Sequence, residues 1–166
     1  MEKKEWIRKD ILSSMNWTDK LLKEVNETNW KVNPKSMKTN INWQVGHMII
    51  SHYFHCIASI IGSDEKIKEQ FSPRQFSVYY GMGSSPTKSI EDKPNHQELL
   101  NHLSLVDRRS LEILDDISED ALVEAPIINN PVAKLKEDAF IWSVKHRMWH
   151  NGQIALISSH LKDPND

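Results

Sequence analysis

The sequence predicts an all-α fold: a four-helix bundle with a long crossover connection between its second and third helices. Three observations predict it. Four long segments repeat apolar residues at the i, i+3 and i+4 spacing of amphipathic helices. No segment shows the alternation of apolar and polar residues that is typical of a strand. The second and third of these segments are separated by about 30 residues, a connection long enough to cross the length of a bundle.

The first two helices are predicted over residues 4–25 and 41–61. Apolar side chains in the first recur at Ile7, Ile11, Met15, Leu22 and Val25. A connector follows in which Pro34 interrupts regular structure, and Thr39 or Asn40 is a suitable N-cap for the second helix. Gly62 marks the end of the second helix.

The crossover, residues 63–93, is rich in Ser, Pro and Gly and is predicted to be irregular. Long connections of this kind inside a small domain are usually functional. The third helix is predicted to begin after Pro94, because Asn95 and Glu98 form a capping-box pattern, and to end near residue 117. After a second connector over residues 118–131, the fourth helix is predicted over 132–161.

Composition narrows the possible classes of protein. A chain of 166 residues with 39% hydrophobic and 27% charged residues is expected to form a single domain, residues 1–166. The net charge of −2 gives no basic surface for nucleic acid, and no apolar run is long enough for a membrane span. The charged start does not resemble a signal peptide, and Cys56 alone cannot form an intramolecular disulfide or a cysteine-based zinc cluster. We therefore expect a cytoplasmic protein.

Three histidines are the candidate metal ligands. His146 and His150 lie one helical turn apart, so their rings share one face of the fourth helix. His47, in the second helix, would supply a third imidazole from a facing helix. Three protein ligands with an open fourth position are typical of a catalytic metal ion, whereas structural zinc normally has four. The zinc-protease motif is absent, because Arg147 rather than glutamate follows His146.

Helical phase separates these histidines from the other five. At about 100° per residue, His47 shares a face with apolar residues, whereas His52 lies about 140° away and His55 lies at the edge of that face. His146 and His150 share an apolar face with Trp142 and Gln153. Three buried imidazoles without partners would cost on the order of a few kcal/mol each, and a shared metal ion would satisfy all three. Hydrogen-bonded core histidines are the alternative. The remaining histidines are interpreted as surface or helix-end residues: His96, His102 and His160.

The opposite face of the fourth helix is also apolar, at Ile141, Val144, Met148 and Ala155. A helix with two apolar faces is either central or packed against a second subunit. Because no helix is central in a four-helix bundle, this pattern predicts a homodimer.

Four motifs resemble those of the DinB/YfiT-like family of metal-dependent four-helix-bundle proteins. Residues 15–22 resemble the family's first-helix signature, and residues 30–34 its Trp-x-x-x-Pro connector. Residues 41–48 are similar to its Trp-x-x-Gly-His motif, and residues 146–153 to its closing His-x-x-x-His-x-Gly-Gln motif. The last two motifs are specific when they occur together in this order.

The resemblance implies that His47, His146 and His150 bind zinc or nickel and that the protein is dimeric. Relatives include thiol S-transferases that use bacillithiol, mycothiol or glutathione, and proteins described as metal-dependent hydrolases. The family implies no DNA contact, which agrees with the acidic charge balance.

The sequence therefore predicts a metal-dependent enzyme that transfers a low-molecular-weight thiol to a small-molecule electrophile, or a related hydrolase. The alternative is a non-catalytic metal- or ligand-binding stress-response protein. Gln153 is a candidate for positioning substrate or holding a ligand histidine. Trp142 and Trp149 are candidate walls of the pocket, and the aromatic residues of segment 71–82 are expected to cover its mouth. No carboxylate can be assigned as a general base.

Overall fold

A computed structural model describes residues 2–162 and contains four long helices. They are α1 (Lys3–Lys23), α2 (41–61), α3 (His96–Asp116) and α4 (Lys136–Leu161). Helix α2 is continuous but not uniform: Ile41–Tyr53 is α-helical, Phe54–Ala58 forms a π-helical segment, and Ser59–Ile61 is α-helical again. Residues 2–162 contain no strand, so the all-α prediction is confirmed for them. The ends of the predicted domain, Met1 and residues 163–166, lie outside the described residues.

Helix α1 packs between α4 and α3. It runs parallel to α4, because Lys3 pairs with Glu137 at one end and Thr18 contacts Asn151 further along both helices. It runs antiparallel to α3, since the start of α1 reaches the end of α3 through an ion pair between Arg8 and Asp115.

Helix α2 packs against the other sides of α3 and α4. Asn42 donates to the carbonyl of Pro94 just before α3, and His52 contacts Ser110 near the end of α3, so these two helices are parallel. Two parallel helices that follow each other in the chain need a connection that runs back from the end of the first to the start of the second. Residues 62–95 make that return.

The prediction that this connection is irregular is wrong. It contains two short helices, Glu65–Lys68 and Pro73–Tyr80, and a 3-10 turn at Ile90–Asp92. Pro73–Tyr80, called the crossover helix below, begins with Pro73 at its first position after Ser72, whose side chain accepts from the amide of Gln75. It packs directly on α2. The second connector also contains a short helix, Glu119–Leu122.

Two predicted helix starts occur as expected, and one does not. The Asn40 side chain caps α2, and Asn95 forms a capping box with Glu98 at the start of α3. Helix α4 begins at Lys136 rather than at residue 132. The Asp138 carboxylate accepts from the amides of residues 134 and 135, which places the first turn there.

Helix α2 is buried on almost every side, so the predicted outward orientation of His52 is wrong, and His55, predicted at the edge of the inward face, is also buried. The crossover helix and the second connector cover the faces that the other long helices leave open. The side chain of Asn130, in that connector, donates to His55 Nδ1 at 2.9 Å and to the Ser59 hydroxyl. The argument that no helix is central therefore fails for this chain, because α2 is central.

A buried ion pair joins α3 to α4 beside α2. The Arg147 guanidinium, 3% exposed, donates with two nitrogens to the two carboxylate oxygens of Asp107, one at 3.0 Å. His52 lies 3.7 Å from the same carboxylate and forms a hydrogen bond with the Ser110 hydroxyl at 2.8 Å. Burial, with the nearby Arg147 charge, holds the pKa of His52 well below its ordinary value. Arg147, which follows His146 in the chain, therefore joins α4 to α3 rather than contacting the candidate metal ligands.

Within residues 2–162, no helix combines the length and the apolar character that crossing a membrane requires.

Candidate metal centre

The structure brings His47, His146 and His150 together, one from α2 and two from α4. The Nε2 atom of His146 lies 3.3 Å from Nε2 of His47 and 3.1 Å from Nε2 of His150. All three candidate ligand atoms lie within 4.8 Å of one another. Two nitrogens that bind one tetrahedral zinc ion at 2.0–2.1 Å are roughly 3.3 Å apart. The spacing of this cluster therefore suits a single ion.

At His47 and His150, a hydrogen bond on the far side of the ring fixes which nitrogen carries the proton. His47 Nδ1 lies 2.7 Å from the backbone carbonyl of Tyr80, and His150 Nδ1 lies 2.5 Å from the side-chain oxygen of Gln44. A carbonyl oxygen only accepts, so both Nδ1 atoms must donate. His146 Nδ1 lies 3.2 Å from the Ser51 hydroxyl, which can also accept.

The Nε2 atoms of His47 and His150 therefore carry unprotonated lone pairs, and both lie close to Nε2 of His146. Converging lone pairs repel unless a proton or a cation lies between them, and a divalent metal ion satisfies all three nitrogens. The chemistry of this donor set therefore fits zinc or nickel.

Electrostatics keep the rings neutral. Burial is the main cause that lowers the pKa of all three: that of His150 to about 3, that of His146 to about 4, and that of His47 below its ordinary value. Neighbouring histidines add to the effect at His146 and His150. No Asp or Glu is among the described groups that shift these pKa values. Neutral imidazole is the form that binds a metal ion.

A chain of hydrogen bonds runs from His150 to Gln44 and from Gln44 to Gln153. The Gln44 amide nitrogen donates to the side-chain oxygen of Gln153 at 2.8 Å and to the Thr39 hydroxyl at 2.9 Å. These two bonds orient the Gln44 oxygen toward His150. Gln153 thus contacts Gln44 and acts on the histidine only through it. Gln44 was missed in the sequence, although its position three residues before His47 is a signal that it shares the face of that histidine.

Gly46 allows the crossover helix to approach α2. A Cβ atom added at Gly46 would lie 2.3 Å from the Tyr80 ring, a distance that real contacts do not reach. The Tyr80 hydroxyl donates to Asn42 at 3.0 Å, so the ring bridges α2 over one turn. This packing delivers the Tyr80 carbonyl to His47. The glycine in the Trp-x-x-Gly-His motif therefore has a direct geometric role.

A tryptophan ring lies nearly parallel to each of the three histidines. The ring centroids of Trp43 and His47 are 4.8 Å apart at 8°, those of Trp142 and His146 6.3 Å apart at 28°, and those of Trp149 and His150 6.4 Å apart at 21°. Helical phase predicts Trp142 and Trp149 as residues beside the site, but it does not predict Trp43. Trp43 is also fixed by its indole nitrogen, which donates to Ser84.

The remaining sequence candidates lie elsewhere. His52 and His55 take part in the core hydrogen bonds described above, and His102 packs against Phe71 and Phe76. The expectation that aromatic residues of segment 71–82 cover the mouth of the site is wrong for the buried ones, which pack into the core: Phe71, Phe76 and Tyr80. His96 lies beside Trp30 and Glu27, and His160, in the last turn of α4, lies 3.2 Å from the Ser36 hydroxyl.

A family model described as the DinB superfamily matches residues 15–154. The chain belongs to the DinB superfamily. Among solved structures, this DinB-superfamily protein is similar to one titled as the conserved protein of locus from Enterococcus faecalis. The TM-score is 0.73, 96% of this chain and 97% of that chain are covered, and the sequence identity is 13%. At that identity the likeness shows the fold alone. No curated protein matches the sequence.

Proposed function

We propose that this protein is a metal-dependent enzyme that transfers a low-molecular-weight thiol to a small electrophile. The observation that carries the proposal is the convergence of the Nε2 atoms of His47, His146 and His150, while an oxygen contacts the Nδ1 atom of each ring from behind. Zinc or nickel bound there would lower the pKa of a coordinated thiol or water toward neutrality and so supply a nucleophile.

The number of ligands favours a catalytic role over a structural one. Among the described residues, the cluster contains three nitrogen donors and no cysteine or carboxylate. Structural zinc is normally closed by four protein ligands, whereas a catalytic site keeps a position for substrate. A hydrophobic core to which all four long helices contribute holds the helices together, so the fold does not need an ion for that purpose.

The surroundings of the cluster favour a thiol over water as the nucleophile. Many metal-dependent hydrolases use a carboxylate as general base for the attacking water, and the histidine cluster contains no carboxylate among the described residues. A free thiol has a pKa near 8.5 and needs much less assistance. In the proposed reaction the thiol loses its proton to water and its sulfur forms a bond to the electrophilic carbon. The leaving group departs with the pair of electrons from the bond that breaks.

The proposal includes a four-helix-bundle architecture and a homodimer. The exposed faces of the parallel helices α1 and α4 form an apolar groove of about 330 Å³, lined by Trp6, Ile141 and Val144. Trp6 is 57% exposed, and Met148, one turn beyond Val144, is 42% exposed. A second copy of the chain is the proposed occupant of this surface, because a two-fold axis would place the same apolar face on both sides of the contact.

The experiment compares wild-type protein with His146→Ala and, as a matched control, His102→Ala. Metal content is measured by elemental analysis after loading with zinc or nickel. Conjugation is followed with monochlorobimane and, in turn, cysteine, glutathione and bacillithiol. We expect the wild type and His102→Ala to bind metal and form conjugate, and His146→Ala to lose both.

Three results would contradict the proposal. Equal metal loss in His146→Ala and His102→Ala would refute the ligand assignment. Full metal content without conjugation of any thiol would favour a non-catalytic binding protein. An apo protein that circular dichroism shows to be unfolded would identify the metal as structural.

A further inference from the structure

Lys93 is a buried lysine, 3% exposed, that has no carboxylate partner among the described residues. Burial is the main cause that lowers the pKa of Lys93, and the nearby Lys31 charge adds to it. Lys136, the other lysine buried in the described part of the chain, pairs with Glu124 at 2.8 Å. Burying an ammonium group is costly unless other groups compensate it, so the contacts of Lys93 need an explanation.

The Lys93 ammonium joins two parts of the connection between α2 and α3. Its Nζ atom donates to the backbone carbonyls of Ser85 at 2.7 Å and Pro86 at 3.0 Å. The same atom lies over the Tyr80 ring, 5.4 Å from the centroid, which is within the range of a cation–π attraction. The end of the crossover helix and residues 85–86 are therefore held by one charged group.

The first path from Lys93 to the metal centre runs through Tyr80, whose carbonyl accepts from His47 Nδ1 at 2.7 Å. The Tyr80 hydroxyl donates to the Asn42 side chain, and the Asn42 amide donates to the carbonyl of Pro94 at 2.7 Å. Pro94 follows Lys93 directly, so these contacts form a closed ring in which the ammonium is the link to the Tyr80 side chain.

The second path runs through Trp43, whose ring lies parallel to that of His47 with centroids 4.8 Å apart. The Trp43 indole nitrogen donates to the Ser84 hydroxyl at 2.8 Å. Ser84 directly precedes Ser85, whose carbonyl Lys93 holds. Lys93 is thus connected to His47 at the Nδ1 atom and at one face of the ring.

We propose that Lys93 is a positioning residue for the metal centre, because its ammonium holds Tyr80 and segment 84–86 where they fix the His47 ring. This inference rests on the metal site of the proposed function and is independent of the thiol transfer. The Tyr80 carbonyl selects the His47 tautomer whose Nε2 atom is free, and the Trp43 ring limits rotation of the imidazole.

The probe is cobalt(II) alone, because the visible absorption of bound cobalt depends on the number and geometry of its ligands. Titration of wild type and Lys93→Met gives both the affinity and the spectrum. Methionine keeps a long apolar chain but removes the charge and the donors. We expect Lys93→Met to change the cobalt spectrum and to weaken binding by roughly threefold to tenfold. This is less than the roughly 10–100-fold loss when a ligand histidine loses its own partner.

Three further variants separate positioning from other effects. Lys88→Met removes an exposed lysine from the same connection and controls for the loss of one positive charge. Ile113→Val, in the core of α3, lowers the midpoint of urea unfolding without changing the surroundings of His47. Both should keep the wild-type affinity and spectrum. Lys93→Arg keeps a charged donor and should recover part of what Lys93→Met loses.

The inference is overturned if Lys93→Met binds cobalt with the wild-type affinity and spectrum. It is also overturned if Lys88→Met or Ile113→Val shows the same loss, because overall charge or general stability would then be the cause. If Lys93→Met does not fold, Lys93→Gln replaces it, and a wild-type affinity in that variant overturns the inference. Failure of the proposed function alone has a different signature, namely wild-type metal binding without conjugation of any thiol.

Discussion

The side-chain oxygen of Gln44 accepts from His150 Nδ1, and so determines that His150 Nε2 is free for a metal ion. Loss of such a support typically costs 10–100-fold in metal affinity, because the ring can rotate or adopt the other tautomer. We expect Gln44→Leu to weaken zinc binding by about this factor. Competition with a chromophoric zinc chelator measures it.

Gln153→Leu is the matched control, because Gln153 contacts Gln44 rather than the histidine. Thr39 also accepts from the Gln44 amide, so the Gln44 oxygen keeps one of its two constraints when Gln153 is removed. We expect the Gln153 variant to have the smaller effect on zinc affinity. A Gln153 effect equal to or larger than that of Gln44 would contradict this order of support.

At the level of single residues, helical phase selected His47, His146 and His150, and the structure places their nitrogens together. Phase singled them out because each of these histidines lies on a strongly apolar stripe. It could not find the support of His47, because that support is a backbone carbonyl, which every residue carries. Nor could phase show that this carbonyl belongs to Tyr80, because His47 and Tyr80 are 33 residues apart and lie in different helices.

Among the secondary-structure elements, the contact between α2 and the crossover helix is the one on which His47 depends. Gly46→Ala would place a methyl group against the Tyr80 ring and force the crossover helix outward. Overpacking of this kind costs about 1–3 kcal/mol. We expect the free energy of unfolding in urea to fall by that amount and zinc affinity to fall with it, because the Tyr80 carbonyl moves away from His47.

Gly152→Ala provides the comparison, since Gly152 is also helical and a Cβ added there meets no atom within 4 Å. Alanine in place of glycine in a helix interior stabilises by up to about 1 kcal/mol. The two substitutions should therefore change stability in opposite directions. If Gly46→Ala stabilises as Gly152→Ala does, close approach of Tyr80 is not what the glycine provides.

The crossover helix also shows where element prediction from sequence stops. Its eight residues, Pro73–Tyr80, are too few to establish a helical period, although Ser72 and Pro73 form a start signal. Without that helix, the sequence predicts that α2 has a solvent-exposed face, with His52 on it and His55 at its edge. Phase analysis assumes one buried face for each helix, and it fails for a helix that neighbours surround.

For the molecule as a whole, buried neutral histidines make stability depend on pH. Burial lowers the pKa of His55 to about 4, whereas an unfolded chain titrates near 6.5. Between these values the unfolded chain takes up a proton that the folded chain excludes, so stability is present above pH 6.5 and is lost as the pH falls toward 4. The loss attributable to His55 is on the order of 3 kcal/mol.

Urea unfolding of metal-free wild type and His55→Gln, from pH 7.5 to 4.5, isolates this contribution. Glutamine can still accept from Asn130 but does not titrate in this range. At pH 7.5 the difference in unfolding free energy between the two proteins measures the packing cost of the substitution. As the pH falls, wild type should lose stability faster than His55→Gln, so this difference should shrink. A difference that stays constant with pH would exclude His55 as a source of acid sensitivity.

The proposed homodimer can be tested through the exposed apolar face of α1 and α4. The apolar face on α1 and α4 includes Trp6 and Trp17, which lie 11 residues apart and therefore on the same side of α1. We expect sedimentation velocity to show a wild-type dimer. Met148→Glu places a charge in the centre of this face, and burying it should weaken the dimer by at least about tenfold. Val78→Glu is the matched control, because Val78 is 66% exposed on the crossover helix, away from this face. A wild-type monomer, or a Met148→Glu dimer as tight as the Val78→Glu dimer, would exclude α1 and α4 as the interface.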